Sequence, residues 1–137
     1  MTPEEMAACH ARAFAGQGRP WSAQEFADLL ESNHVFSVGD ACAFALGRAI
    51  ADEAELLTIA TDPAHRRKGL GRAALTAFEA VAATRGIMRL FLEVAAGNAP
   101  AISLYRSAGY RTAGRRKGYY QTREGREDAL LMEKLLG

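Results

Sequence analysis

The sequence predicts an α/β fold in which a mixed central β-sheet is flanked by helices. Two observations carry that expectation. The middle of the chain alternates strand-like and helix-like segments, from ELLTIAT (Glu55–Thr61) through Gly69–Arg85 and IMRLFLEV (Ile87–Val94) to a short helix after Asn98. That order implies parallel neighbouring strands joined by a right-handed crossover. On either side the chain reads instead as consecutive strands, Val35–Val38 with Ala41–Ile50 and Tyr110–Arg116 with Asp128–Leu135, which makes the sheet mixed. At 137 residues the chain suits one domain, 1–137, with a single buried core.

The elements follow in order. Thr2 is a plausible N-cap for a helix through Phe14, and Pro3 suits its first turn. Gly16–Pro20 breaks the pattern. Ser22 then opens a second helix through Glu31, with Glu25 completing a capping box. A turn at Gly39-Asp40 joins the first two strands, and Asp62-Pro63 ends the third. Leu70, Ala74, Phe78 and Val81 recur near helical spacing, and Gly86 stops that helix. Ile87–Val94 is almost continuously apolar, as expected for a strand covered on both faces. Asn98 caps a helix carrying Ala101, Ile102, Leu104 and Tyr105, which ends at Gly109. A polar loop is expected between the last two strands.

Composition narrows the function classes. Hydrophobic residues make up 49% and charged residues 24%, the balance of an ordinary globular chain. A formal net charge of +1 argues against a protein that binds nucleic acid through its overall charge. No apolar run approaches the ~20 residues needed to cross a bilayer. The opening MTPEEMAACHARAF has two glutamates and no basic segment, unlike a signal peptide. Cys9 and Cys42 stand in no CxxC spacing and read as packing cysteines of a reduced chain, a secreted disulfide being the alternative. The expected setting is the cytoplasm. His10, His34 and His65 show no metal-ligand spacing, so no metal is expected.

Ligands of such sheets collect outside the carboxyl ends of the parallel strands. Three features meet there: the turn HRRKGLGRAAL, Glu93 near the end of its strand, and the helix start at Asn98. The first amides of a helix lack intrahelical partners and carry partial positive charge. Gly69 and Gly71 keep side chains away from those amides, while Arg66, Arg67, Lys68 and Arg72 surround them with cations. This suits a diphosphate or another polyanion. The plain alternative is a tight turn with solvated charges. Gly69-Leu70-Gly71-Arg72-Ala73-Ala74 also fits the dinucleotide pattern G-x-G-x-x-A, with Glu93 at a ribose-binding distance. Against that, Asp62–Lys68 separates the strand from the first glycine, and the chain is short for two mononucleotide halves.

Read as R-x-x-G-x-G, Arg66–Gly71 resembles the coenzyme A pyrophosphate loop of the GNAT N-acetyltransferases. LTIATDPAHRRKGLGRAAL, LFLEVAAGNAPAISLYRSAGY, RRKGYY and EDALLM occur in the order and spacing of one branch. That branch is the bacterial ribosomal-protein-alanine N-acetyltransferases, which cap a protein's N-terminus. The resemblance covers Glu55 to Met132, and Pro20-Trp21-Ser22 adds an N-terminal match. It implies the GNAT fold, acetyl-CoA as co-substrate, and a protein N-terminus as acceptor, with the N-terminal alanine of a ribosomal protein as the expected one.

The resemblance also implies roles. Glu93 matches the general base, and Tyr105 the general acid toward the leaving thiolate. Ile59, Ala60 and Thr61 match the strand whose backbone binds the pantetheine and acetyl group. Arg66, Arg67, Lys68, Gly69, Leu70, Gly71 and Arg72 match the pyrophosphate turn, and Asn98 the coenzyme-binding asparagine. Tyr119 and Tyr120 fall beside the acceptor peptide, and Trp21 lines the same side.

The chemistry is coherent. An α-amine with a reference pKa near ~8 is largely protonated at neutral pH, and a carboxylate can take that proton directly or through water. A phenol can donate to a developing thiolate, and backbone amides can hold an oxyanion. Transfer is then direct, through a ternary complex, with no protein nucleophile. Asn98 can cap its helix and reach the coenzyme only by dividing the tasks between backbone and side chain, or through a water.

Each residue also has a plainer reading. Glu93 could sit in a salt bridge, and Tyr105 and Trp21 could be core. The segment Arg111–Arg126, with six basic residues and one acid, could be a solvated hairpin or an RNA contact. The chain departs from the branch in Val94-Ala95 for the usual Val-Arg, in Gly118 for the common Asn, and in an added Gly-Gln-Gly after Phe14. No opening strand is expected ahead of the first helix, where the branch usually has one, so that edge of the sheet is expected to be weaker. Three functions follow: an N-terminal protein acetyltransferase acting as a monomer, a GNAT enzyme for a small amine or a lysine side chain, and a non-catalytic acetyl-CoA- or RNA-binding module.

Overall fold

A computed structural model describes residues 1–14, 20–66, 68–122 and 125–136, and the first two helices begin where their caps place them. In α1 (Pro3–Ala13) the Thr2 hydroxyl accepts from the Glu5 amide at 3.1 Å, and the Glu5 carboxylate accepts from the Thr2 amide at 2.8 Å. Ser22 and Glu25 make the same reciprocal pair at the start of α2 (Ala23–Leu30), so local bonds define where both helices begin. Of the expected break at Gly16–Pro20, only Pro20 falls within the described residues, and Arg67 lies outside them.

The chain then runs through β1 (Val35–Gly39), β2 (Ala43–Ile50), β3 (Glu53–Thr61), a 3-10 turn (Pro63–His65), α3 (Leu70–Thr84) and β4 (Arg89–Ala95). It ends with α4 (Ala99–Ser107), β5 (Arg111–Thr122) and β6 (Gly125–Leu135). The six strands form one mixed sheet in the order β1-β2-β3-β4-β6-β5, in which only β3 and β4 are parallel neighbours. This is the sheet that the alternation in mid-chain implies.

Period-two alternation sorts the strand side chains onto two faces. Phe36, Ala45, Leu56, Leu90, Leu92, Val94 and Met132 meet Leu75, Phe78, Ile102 and Tyr105 of α3 and α4. Val35, Phe44, Leu46 and Ala60 meet Met6, Cys9 and Phe26 beneath α1 and α2. Both cysteines are free, and Cys9 is buried in the second core.

Two expectations need correction. Strand β4 begins at Arg89 and is fully covered on one face only: Leu90, Leu92 and Val94 are buried, but Arg89, Phe91 and Glu93 are half-buried. The reason is that α1 and α2 pack over β3 and β1. The final hairpin is also much longer than expected, so Tyr119 and Tyr120 lie in β5 and not in a polar loop. Its polar residues face solvent along a two-stranded ribbon and leave no hydrophobic period to read.

One feature of register positions the site. The β3–β4 ladder runs from Glu53↔Arg89 to Leu56↔Leu92 and stops, although β3 continues to Thr61 and β4 to Ala95. Past that point β3 follows β2, with a bulge opposite Leu46/Gly47, and β4 follows β6 as far as Ala95↔Ala129. The carboxyl ends of the two parallel strands therefore splay apart.

Candidate active site

In a paired strand, successive N–H and C=O groups point alternately to the two neighbours. Along Leu57–Thr61, the groups aimed toward β4 have no strand partner there. Ile59 packs partly buried on the α3–α4 face, Ala60 is buried toward α1 and α2, and Thr61 is half-buried. Beside Thr61 lies the first turn of α3, since a Cβ on Gly71 would come within 3.3 Å of the Thr61 hydroxyl oxygen.

That turn differs from the other helix starts. Thr2, Ser22 and Asn98 supply cap oxygens to α1, α2 and α4, but Gly69 gives α3 none. Gly69 is held at φ +74°, where a side chain is disfavoured, and the space a Cβ would take is open. The amides of Leu70 and Gly71 are thus left for a ligand's oxygens, with the helix dipole behind them. Lys68 and Arg72 are exposed here, and Arg72 also donates to the Ser107 hydroxyl at 2.6 Å. Arg66 donates to the Ala13 carbonyl oxygen at 2.9 Å.

Across the splay stands Glu93. Its Oε1 forms an ion pair with the Arg116 guanidinium at 3.2 Å, while its Oε2 is buried with no hydrogen-bond partner among the described residues. Such an oxygen is costly unless something donates to it during function. The Arg116 guanidinium also lies over the Tyr119 ring at 5.0 Å, and Tyr119 meets Tyr120 edge-on at 5.1 Å. Burial, and then the Glu93 charge, push the Tyr120 phenol up to about 12. Burial, and then Tyr120, raise Tyr105 as well. Glu93, Tyr120 and Tyr105 are therefore linked electrostatically, and both phenols hold their protons as donors at neutral pH.

Asn98 caps α4 with one atom of its side chain. Its Oδ1 accepts from the Ala101 amide at 3.3 Å, which leaves its NH2 group to donate elsewhere. The loop ahead of it is fastened to the final hairpin: Glu127 accepts from the Gly97 amide, and the Ala96 amide donates to the Asp128 carbonyl at 2.9 Å. A side chain at Gly97 would land on the Glu127 carboxylate. The Asp128 carboxylate in turn accepts from Arg115 at 2.6 Å and from the Gly118 amide at 2.8 Å. It holds the irregular stretch between Arg116 and Tyr120 that presents the two tyrosines.

Not all of the sequence-predicted residues gather at the splay. Trp21 stacks on His10 at 5.2 Å and packs against Phe26 at 5.5 Å, so its described contacts are those of the α1–α2 core. Arg116, Glu127 and Asp128 are site residues that sequence reasoning missed, because their partners are chosen by the β4–β6–β5 register. Three arginines of the basic hairpin, Arg111, Arg115 and Arg116, are spent on Glu133, Asp128 and Glu93. Among the described residues no group of three or more His, Cys, Asp or Glu could hold a metal ion.

A cationic helix start without a side-chain cap and a strand edge that no described strand pairs fit an elongated carrier with a phosphate end and an amide-bearing arm. Comparison with known proteins agrees. The model of the Acetyltransferase (GNAT) family matches residues 6–110. The ribosomal protein bS18-alanine N-acetyltransferase of Escherichia coli (strain K12) is 44% identical over 117 residues, covering 82% of this chain and 79% of the relative. The N-alpha-acetyltransferase RimI of Mycobacterium tuberculosis is 35% identical over 127 residues, covering 86% and 78%. The crystal structure of the ribosomal-protein-S18-alanine N-acetyltransferase from Escherichia coli superposes with a TM-score of 0.88 at 37% identity, over 98% of this chain and 88% of that one. With a family match over most of its length and relatives this similar, the chain belongs to the GNAT acetyltransferases, which draw their acetyl group from acetyl-CoA.

Proposed function

We propose that this enzyme acetylates the N-terminal α-amine of a protein, with the N-terminal alanine of a ribosomal protein as the favoured acceptor. The observation that carries the reading is the buried Oε2 of Glu93, without a hydrogen-bond partner among the described residues, at the splayed ends of β3 and β4. The acceptor assignment is supported by the relatives named for the alanine of ribosomal protein bS18.

Acetyl-CoA supplies the activated thioester carbonyl. The amides of Leu70 and Gly71, with Lys68, Arg72 and Arg67, hold its phosphates. The strand edge at Ile59, Ala60 and Thr61 and the Asn98 amide align the pantetheine arm, and backbone N–H groups of that edge stabilise the oxyanion. Glu93 accepts the amine proton, directly or through one water, and Tyr105 gives a proton to the departing sulfur. Tyr119 and Tyr120 wall the acceptor backbone, with Trp21 supporting that side through the α1–α2 core. The enzyme acts as a cytoplasmic monomer and uses no metal.

Mass spectrometry of protein N-termini from cells with and without the protein tests the acceptor. Loss of acetyl groups from a ribosomal alanine N-terminus is the expected result. Purified protein that turns over lysine peptides or small amines faster than N-terminal alanine peptides would replace the acceptor while leaving the chemistry in place.

A further inference from the structure

Two arginines tie the last turn of α1 to the segment that leads into α3. Arg12 Nε lies 2.7 Å from Asp62 Oδ2, and Arg66 Nη2 lies 2.9 Å from the Ala13 carbonyl oxygen. Asp62 directly follows Thr61, the residue against which the first turn of α3 packs. Its other oxygen accepts from the Ala64 amide at 3.0 Å and caps the 3-10 turn. The Ala64 amide, and then Arg12, hold the Asp62 carboxyl below its usual range, so it is charged at neutral pH. This carboxylate shapes the turn, yet it has the wrong sign for a neighbour of a diphosphate.

We propose that Arg12 is a positioning residue for the coenzyme: it neutralises Asp62, so that this carboxylate can fold the segment before α3 without repelling the phosphates. The inference rests on the reading of Gly69–Gly71 as the phosphate site. It also gives Arg66 a structural task, anchoring the same segment to α1 instead of gripping phosphate. The Arg12 side chain is 51% exposed and that of Asp62 only 15%, so the arginine can be replaced without opening a cavity.

Calorimetric titration of the full chain with coenzyme A tests this, together with kcat and KM for acetyl-CoA. Arg12→Ala is expected to raise Kd and KM by about threefold to tenfold with kcat at saturation unchanged, and the difference shrinks as salt is added. Arg12→Lys, which keeps the charge, stays near wild type. The decisive variant is Arg12→Ala combined with Asp62→Asn. Its amide oxygen still accepts from Ala64, and affinity returns to within about twofold of wild type when the charge that Arg12 masked is gone. Wild-type affinity in Arg12→Ala overturns the proposal, and so does a double variant as weak as the single one. A Gly71→Val variant that keeps full coenzyme affinity would instead remove the phosphate-site reading itself, which separates the two failures.

Discussion

Strands β3 and β4 run side by side from Glu53 and Arg89 to Leu56 and Leu92 and then part, and the two ends of this pair are built from opposite chemistry. At the closed end Arg89 bridges Glu53 at 3.0 Å and Glu133 at 3.2 Å, and Arg48 meets Glu55 at 2.8 Å. Leu56, Leu90 and Leu92 fill the core beside them. At the open end one Glu93 oxygen has a partner and the other has none among the described residues, the strand edges face a gap, and α3 starts without a side-chain cap. Paired charges and buried leucines brace one end, while at the other lie polar groups that no described partner satisfies.

Four measurements break or sharpen that contrast. The largest effect is expected at the open end. Glu93→Gln should lower kcat about 10²–10⁴-fold near neutral pH while coenzyme Kd stays within about twofold. Equal loss of turnover and binding would make Glu93 scaffold, and the two ends would no longer differ in kind. At the closed end, Leu90→Ala should cost about 2–5 kcal/mol in urea unfolding, with kcat per folded molecule nearly intact. A collapse of kcat without loss of stability would show that this end is not passive.

The third measurement concerns the α1–α2 core beside the splay. Burial lowers the His10 pKa from 6.5 to about 4, so the unfolded chain takes up its proton first. The stability this neutral histidine allows is full above pH ~6.5 and is lost as pH falls from there toward 4, on the order of 2–3 kcal/mol. Unfolding midpoints at pH 7 and 4.5 should fall further in wild type than in His10→Phe, and identical falls would contradict the assignment. The smallest effect is expected from Arg48→Ala, whose partly exposed pair with Glu55 should contribute less than about 1 kcal/mol. A larger loss would mean that ion pairs, more than packing, keep that end shut.

What the sequence revealed follows the range of the interactions involved. Capping boxes at Thr2/Glu5 and Ser22/Glu25 close within three residues, and both helix starts were legible. The β3–α3–β4 order and the glycine turn were legible for the same reason. The apolar run Ile87–Val94 did not reveal which face of β4 is open, because that depends on where α1 and α2 pack. Nor could it show the splay, which is a failure of two distant segments to pair. Arg116 meets Glu93 only through the registers Glu93↔Leu131 and Arg116↔Ala129. Trp21 and His10 carry no spacing signal, and their stacking follows from how α1 and α2 dock.

The contact between Gly97 and Glu127 has a consequence for anyone who would redirect the enzyme to a new acceptor. If the hairpin carrying Tyr119 and Tyr120 contacts the acceptor as proposed, it cannot be exchanged alone, because its Glu127 carboxylate accepts from the Gly97 amide. A foreign hairpin brought in alone inherits a socket cut for a different key. Grafts that carry residues 96–98 together with the ribbon should keep Asn98 in line, and chimaeras that move the ribbon by itself should lose coenzyme alignment before they gain any new selectivity.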